Sequence, residues 1–296
     1  MSWTDRKKLF KKYAGRLEFK LSTYSFANVF LWKNFFEFDF KIIDDYLCIF
    51  ARYDAGTFLY LPPIGKKLTK SVVDQCFEYL GKHNSRRGVG RIENVAEDQL
   101  TSFSSDQFDI YKKGYEYCYL KDDQINARGN TFKSKRSDYN YFVKGYQSQF
   151  VPFEKGMLTD CLSLYESWTK KRSALNKDVI YNQMLEDNRK VHELALKNDE
   201  FLNLIGRVVF VDKKIAAYTF GYPLSRDTFC VLFEITDLNY KGLPAYIFRE
   251  FCKDASLRKY RFINVMDDFE LQNIQKTKMS FKPSVMFPAY VVTPKG

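Results

Sequence analysis

The 296 residues carry 47 Lys and Arg against 36 Asp and Glu, a formal charge of +11, and are 45% hydrophobic and 28% charged. That balance excludes an intrinsically disordered chain. A mean hydropathy of −0.40, with no apolar run of about 18 residues, argues against a membrane-spanning helix. The opening MSWTDRKKLFKK is charged but has no apolar stretch behind it, so no secretory leader is expected.

The first half is β-rich. Runs at Phe36–Ile43, Tyr46–Arg52 and Thr57–Leu61 are dense in Phe, Tyr, Ile and Leu, with turn residues at Asp44-Asp45 and Asp54-Ala55-Gly56 between them, so they predict consecutive strands. Pro62-Pro63 and Gly65 end the run. Val72, Val73, Cys76, Phe77 and Leu80 keep helical spacing and predict a helix over Thr69–Gly81. Strands follow near Arg91–Val95 and Tyr115–Leu120. Ser85–Gly90 resembles a phosphate loop but leads into a strand, so no phosphate cradle is expected there.

The second half repeats this order on a larger scale. Helices are predicted at Met157–Lys171 and at Val179–Lys197, the latter with Ile180, Met184, Val191 and Ala195 inward. Three strands come next, at Leu202–Val211, Ile215–Tyr222 and Thr228–Ile235, the first two joined by the hairpin turn Asp212-Lys213-Lys214. Gly242 and Pro244 open a helix to about Leu257; a strand at Phe262–Val265, a helix at Leu271–Thr277 and a strand at Ala289–Thr293 complete the chain. This order resembles the GNAT (N-acetyltransferase-like) fold. The expectation is an α+β chain of two tandem GNAT-like (acyl-CoA N-acyltransferase-like) domains, 1–148 and 149–296, with a seam near Gln147–Glu154 and the transfer site in the second.

Chemistry is constrained by what is scarce. Only His83 and His192 are present, which leaves little room for His-based catalysis, and both are expected to be structural or surface residues. No two of Cys48, Cys76, Cys118, Cys161, Cys230 and Cys252 lie within five residues of each other, so no metal is expected. Their apolar settings suit reduced thiols and a cytoplasmic protein. The +11 charge suits an anionic partner such as RNA, a phosphate-bearing cofactor or anionic lipid, and equally suits plain solubility.

Three runs stand out. In KSKRSDYNYF, Lys133, Lys135 and Arg136 precede a helix expected at Ser137–Lys144, whose N-terminal dipole would add positive potential for a phosphate; a solvated basic face is the alternative. In FEITDLNYKG, Glu234 is a general base if its surroundings raise its pKa, and Ile235, Tyr240, Lys241, Gly242 and Ala245 sit where a strand passes into a helix whose amides can hold the pyrophosphate of coenzyme A or an acyl-CoA. Against this, the stretch keeps only the first small residue of the usual Arg/Gln-x-x-Gly-x-Gly/Ala pattern, and Pro244 has no N–H. In NVMDDFELQNIQKTKMSFKP, Asp267 and Asp268 end a strand, with Lys276 and Lys278 one helix later. These groups either bind an amine and a phosphate together or form a surface ion pair.

In order, SFANVFLW, YLPPIG, GNTFKSKRSDYNYF, RVVFVDKKIAAYTFGYPL, FEITDLNYKG and NVMDDFELQNIQKTKMSFKP resemble the C-terminal catalytic domain of the phosphatidylglycerol lysyltransferases, from about Ser22 to Val292. The resemblance implies transfer of an aminoacyl group from a charged tRNA to a polar lipid. It places Lys133, Lys135, Arg136 and Asn140 on the acceptor or nucleic-acid side, and Asp267, Asp268, Lys276 and Lys278 at the transfer site. An aminoacyl ester is already activated, so positioning and charge stabilisation suffice without histidine. Lipid-modifying members carry a multi-span membrane portion before this domain. None is found in this sequence, so the acceptor is not expected to follow from the family alone. The competing readings are a non-catalytic RNA- or membrane-surface-binding protein that keeps the fold, and a partner-binding scaffold. Oligomeric state is not legible.

Overall fold

The computed structural model describes every residue except Arg16, Arg87, Lys177 and Gly296, and every side chain of those residues but that of Ile180. The expectations for Ile180 and for the Arg87 part of the Ser85–Gly90 loop therefore lie outside the described residues. The chain forms two compact units. One comprises Met1–Tyr117, Met266–Ile274 and Met286–Gly296, the other Cys118–Val265 and Gln275–Val285. They do not coincide with the halves 1–148 and 149–296, because 118–148 belongs to the second unit and Met266–Ile274 and Met286–Gly296 return to the first.

In the first unit, α1 (Trp3–Ala14) is capped by the Ser2 side chain, which accepts from the Asp5 amide. A turn of 3-10 helix at Ser22–Tyr24 leads to α2 (Phe26–Leu31), capped in the same way by Ser25. β1 (Glu37–Ile43), β2 (Tyr46–Tyr53) and β3 (Gly56–Leu59) form an antiparallel meander. Its first turn puts Asp44 and Asp45 at positive φ, the geometry a two-residue hairpin needs. α3 (Lys70–His83) buries Val72, Val73, Cys76 and Leu80, as the spacing predicts. β4 (Ile92–Ala96) runs parallel to β3 with Leu59 opposite Ile92, and both side chains enter the core under α3. β5 (Phe108–Leu120) then carries the chain into the second unit.

In the second unit, α4 (Lys121–Asn126) and α5 (Lys133–Gly145) precede β6 (Ser148–Pro152), then α6 (Leu158–Leu175), α7 (Val179–Lys197) and the single turn α8 (Asp199–Leu202). β7 (Ile205–Val211), β8 (Lys214–Pro223) and β9 (Thr228–Thr236) follow as antiparallel neighbours. α9 (Leu243–Lys253) leads to β10 (Phe262–Asn264), parallel to β9 and antiparallel to the end of β5. The strand order here is β5-β10-β9-β8-β7-β6. One face of this sheet packs Phe233 and Ile235 with Cys161, Tyr165 and Leu196 of α6 and α7. The other packs Val209, Val211 and Ala217 with Phe142 of α5 and Leu243 and Ile247 of α9. His192 is core, its ring 3.9 Å from that of Phe233 and its Nδ1 2.9 Å from the Tyr218 hydroxyl.

After α10 (Gln272–Ser280), β11 (Val285–Pro294) pairs antiparallel with β4, so the first unit's order is β1-β2-β3-β4-β11. Four elements escape the sequence pattern: α1, α4, β6 and the single turn α8. Among the described residues no helix is long and apolar enough to cross a membrane, and no group of three or more His, Cys, Asp or Glu is placed to hold a metal ion.

Candidate functional site

Strand alternation builds the site. Leu59 and Ile92 point into the first unit's core, so Phe58 and Tyr60, and Arg91 and Glu93, face the other way. They line a cavity of about 450 Å³. Its aromatic lining is Trp32, Phe36, Tyr53, Phe58, Tyr60, Tyr115 and Phe269. Several of these rings meet edge to face: Phe36 lies 5.4 Å from Phe58 between centroids, and Tyr53 lies 5.8 Å from Phe58. The Tyr60 hydroxyl donates to Asn28 Oδ1 at 2.6 Å. Burial, with Glu93, Asp267 and Glu116 nearby, pushes the Tyr60 phenol well above its ordinary range, so it stays neutral.

The charged lining is Arg91, Glu93, Lys113, Glu116 and Asp267. Glu93 receives Arg91 at 2.6 Å and Lys113 at 2.6 Å. Burial pushes its carboxyl up, but the two cations outweigh burial and hold it below the usual range. The Arg91 guanidinium also lies 4.5 Å from the Phe58 ring centroid. Glu116 is buried and accepts from the Ser22 amide at 2.8 Å and the Ser22 hydroxyl at 2.7 Å.

Asp267 reaches the cavity from a contorted loop. Met266, Phe269 and Glu270 all adopt positive φ, a conformation that side chains disfavour and that persists only where the surroundings enforce it. The enforcement is visible. Buried Asp268 accepts from the Tyr117 hydroxyl and, at 3.0 Å, from the Glu270 amide, while Tyr117 donates its own amide to the Met266 carbonyl at 3.2 Å. The paired aspartates therefore have different places. Asp267 lines the cavity, and Asp268 does not; it holds the loop.

The remaining candidates lie in the second unit. Glu234, on the α5 and α9 side of β9, is pushed up to about 8 by burial, with Lys135 opposing, and its Oε2 is buried without a hydrogen-bond partner. The Lys135 ammonium lies 3.8 Å from the Phe281 ring centroid, and burial lowers its pKa.

The expected phosphate site at α5 changes character. The helix begins at Lys133, four residues earlier than predicted, so Lys133, Lys135 and Arg136 fall in its first turn, where cations oppose the helix dipole. Arg136 donates to the Ala127 and Gly129 carbonyls, and Lys121 donates to the Leu257 carbonyl at 2.7 Å. Lys133 and Asn140 are exposed.

Gly242 has φ +85, and a Cβ there would lie 2.1 Å from the Asp138 carbonyl oxygen of α5. Close packing of α5 on the start of α9 thus explains this glycine. Leu243 and Ala245 are buried, Ile235 lies in the core on the opposite face, Tyr240 packs on Tyr146 at 5.2 Å, and exposed Lys241 lies 4.8 Å from the Tyr141 ring. On α10, Lys276 is exposed, whereas Lys278 donates to the Val265 carbonyl at 2.6 Å.

The aromatic cavity is the candidate site that sequence reasoning missed. Its residues are scattered from Ser22 to Ala289, and the only local signal was the i, i+2 pairing of Phe58 with Tyr60 and Arg91 with Glu93.

Among solved structures, a conserved protein of unknown function from Bacteroides thetaiotaomicron is similar over 100% of this chain and 98% of its own, with 24% identity and a TM-score of 0.87. The structure of L-PGS from Bacillus licheniformis is similar over 98% of this chain and 91% of its own, at 14% identity and TM-score 0.67. A tandem GNAT protein from the clavulanic acid biosynthesis pathway is similar over 100% and 97%, at 7% identity and TM-score 0.53. No curated protein matches by sequence. The family model described as phosphatidylglycerol lysyltransferase, C-terminal, matches residues 14–293. Sequence and fold therefore agree: the chain belongs to the phosphatidylglycerol lysyltransferase C-terminal family and is an enzyme of its tandem GNAT-like, aminoacyl-transferring type.

Proposed function

We propose that the chain moves an aminoacyl group from an aminoacyl-tRNA, in the cytoplasm, to an amine or hydroxyl acceptor. The observation that carries this reading is the first unit's cavity, which combines seven aromatic rings with three carboxylates and two cations in about 450 Å³. That is the size and polarity of an amino acid held by its carboxyl ester. Asp267 binds the α-ammonium, the rings enclose the side chain, and the ester faces the acceptor. The acceptor's oxygen or nitrogen attacks the ester carbonyl, the bond to the ribose oxygen breaks, and a carboxylate of the cavity takes the acceptor's proton and passes it to the departing ribose oxygen.

A tRNA donor accords with the +11 charge and with the exposed Lys133, Lys276 and Asn140, which would touch phosphate or ribose; Lys144 extends this basic face. An acyl-CoA donor is less well supported, since the Asp138 carbonyl sits against Gly242 where its pyrophosphate would lie. An anionic lipid headgroup is one acceptor compatible with the same exposed cations.

The test follows the ester bond of mixed aminoacyl-tRNA in the presence of candidate acceptors. The expected result is ester loss above spontaneous hydrolysis, reduced about tenfold or more by Asp267→Asn with the melting temperature unchanged. A melting temperature raised by coenzyme A and unmoved by tRNA would overturn the aminoacyl reading.

A further inference from the structure

Asn28 is a buried amide in a largely aromatic lining, and one end of it has no protein partner. It sits in the first turn of α2, where its backbone N–H donates to Ser25 Oγ at 3.1 Å. The residue is 2% exposed and lines the cavity. Its Oδ1 accepts from the Tyr60 hydroxyl at 2.6 Å. Tyr60 stays a neutral phenol, so it has a proton to donate, and the oxygen end of the amide is the end that can receive it. A planar amide held by its oxygen turns its nitrogen away from the phenol.

Among the described residues, Asn28 Nδ2 has no acceptor. The charged and amide donors beside it do have partners. Arg91 donates to Glu93 and to the Val89 carbonyl, Lys113 donates to Glu93 and Asn94, and Asn94 Nδ2 donates to the Tyr60 carbonyl. Nor is Asn28 Nδ2 sealed inside the protein, as the orphaned Thr23 Oγ1 of the same lining is. It opens on the cavity. An amide N–H buried without an acceptor weakens a fold, so its retention here suits a ligand oxygen.

We infer that Asn28 donates to the carbonyl oxygen of the bound aminoacyl ester, and that Tyr60 is the positioning residue that fixes which end of the Asn28 amide faces the ligand. This rests on the aminoacyl-transfer reading above. The carbonyl oxygen is the strong hydrogen-bond acceptor that every aminoacyl ester shares, whatever its side chain. On attack, the incoming electron pair forms the new bond to the carbonyl carbon, and the carbonyl pair moves onto the oxygen. That pair returns as the bond to the ribose oxygen breaks. A donor already aimed at the oxygen stabilises most while the charge resides there.

The experiment titrates the intact chain with phenylalaninamide and lysinamide, and with phenethylamine and cadaverine, which are the same molecules without the carboxamide. Calorimetry reads the affinities. The parent is expected to favour the amides by about tenfold, and Asn28→Ala and Asn28→Asp to bring that ratio close to one. Asp keeps an oxygen for Tyr60 but offers the ligand no N–H, so an unchanged ratio in folded Asn28→Asp overturns the inference. Tyr60→Phe keeps the ring and lets the amide turn over; it is expected to narrow the ratio by about threefold, and an unchanged ratio overturns the role of Tyr60. With aminoacyl-tRNA, Asn28→Ala is expected to lower kcat by about a hundredfold or more while KM changes by no more than about threefold. A loss confined to KM, or parental consumption by folded Asn28 variants, overturns the inference and leaves aminoacyl transfer standing. A parent that consumes aminoacyl-tRNA but shows no amide preference does the same. An amide preference that depends on Asn28, with no aminoacyl-tRNA consumed, overturns the transfer reading and leaves Asn28 as a carbonyl donor. Neither preference nor consumption in the parent overturns both.

Discussion

Asp267 and Asp268 are adjacent acids with separate places, and nothing in their sequence distinguishes them. The distinction arises because the loop's positive-φ residues send one carboxylate into the cavity and bury the other against Tyr117. Gly242 carries a similar lesson. Its position after a strand was legible as special, but the cause is a neighbouring carbonyl that only folding brings near. Replacing it by Ala combines a strained φ of +85 with a 2.1 Å clash. Gly242→Ala should destabilise the fold by about 2–4 kcal/mol in urea denaturation. A loss below about 0.5 kcal/mol would mean that α5 and α9 are packed more loosely than described.

Most helices and strands were legible because each buries a single face. α3 is the clearest case, its buried Val72, Val73, Cys76 and Leu80 matching the helical spacing. Elements with weak patterns were not. α1 buries only Phe10 and Ala14 along its length, and β6 has no buried residue and ends in Pro152, as suits an edge strand. The Met266–Glu270 loop had no readable pattern, since its shape depends on Tyr117 from a distant strand. Removing that support gives a prediction for the loop as a unit. Tyr117→Phe leaves the ring in place and takes away the hydrogen bond to Asp268. The proposed transfer reaction should then lose rate while overall stability falls by only about 1–2 kcal/mol. Unchanged kinetics would show that the loop keeps its shape without this bond.

At the scale of the molecule, tandem GNAT-like architecture was legible from element order, whereas the composition of the two units was not, because residues beyond Val265 belong partly to each. Two buried titratable groups set the expected response to pH. Glu234 is raised from its ordinary 4.5 to about 8, so its contribution is fully present below 4.5 and is lost as pH rises through about 8. His192 is depressed by burial from 6.5 to about 3; its contribution is fully present above 6.5 and is lost as pH falls toward 3. Denaturation at about pH 5 and about pH 9 should therefore show Glu234→Gln gaining stability relative to the parent at the higher pH. Equal differences at both pH values would mean that the carboxyl is better solvated than its burial implies.

The pairing of β11 with β4 has a consequence for biosynthesis. β4 ends at Ala96, and the strand that flanks it begins at Val285, so a ribosome must make the long Cys118–Val265 segment of the second unit before the first unit can close its sheet. Until then β4 presents an unpaired edge, the kind of surface that invites association with other nascent chains. The first unit's sheet is therefore completed only after the second unit's long segment has emerged.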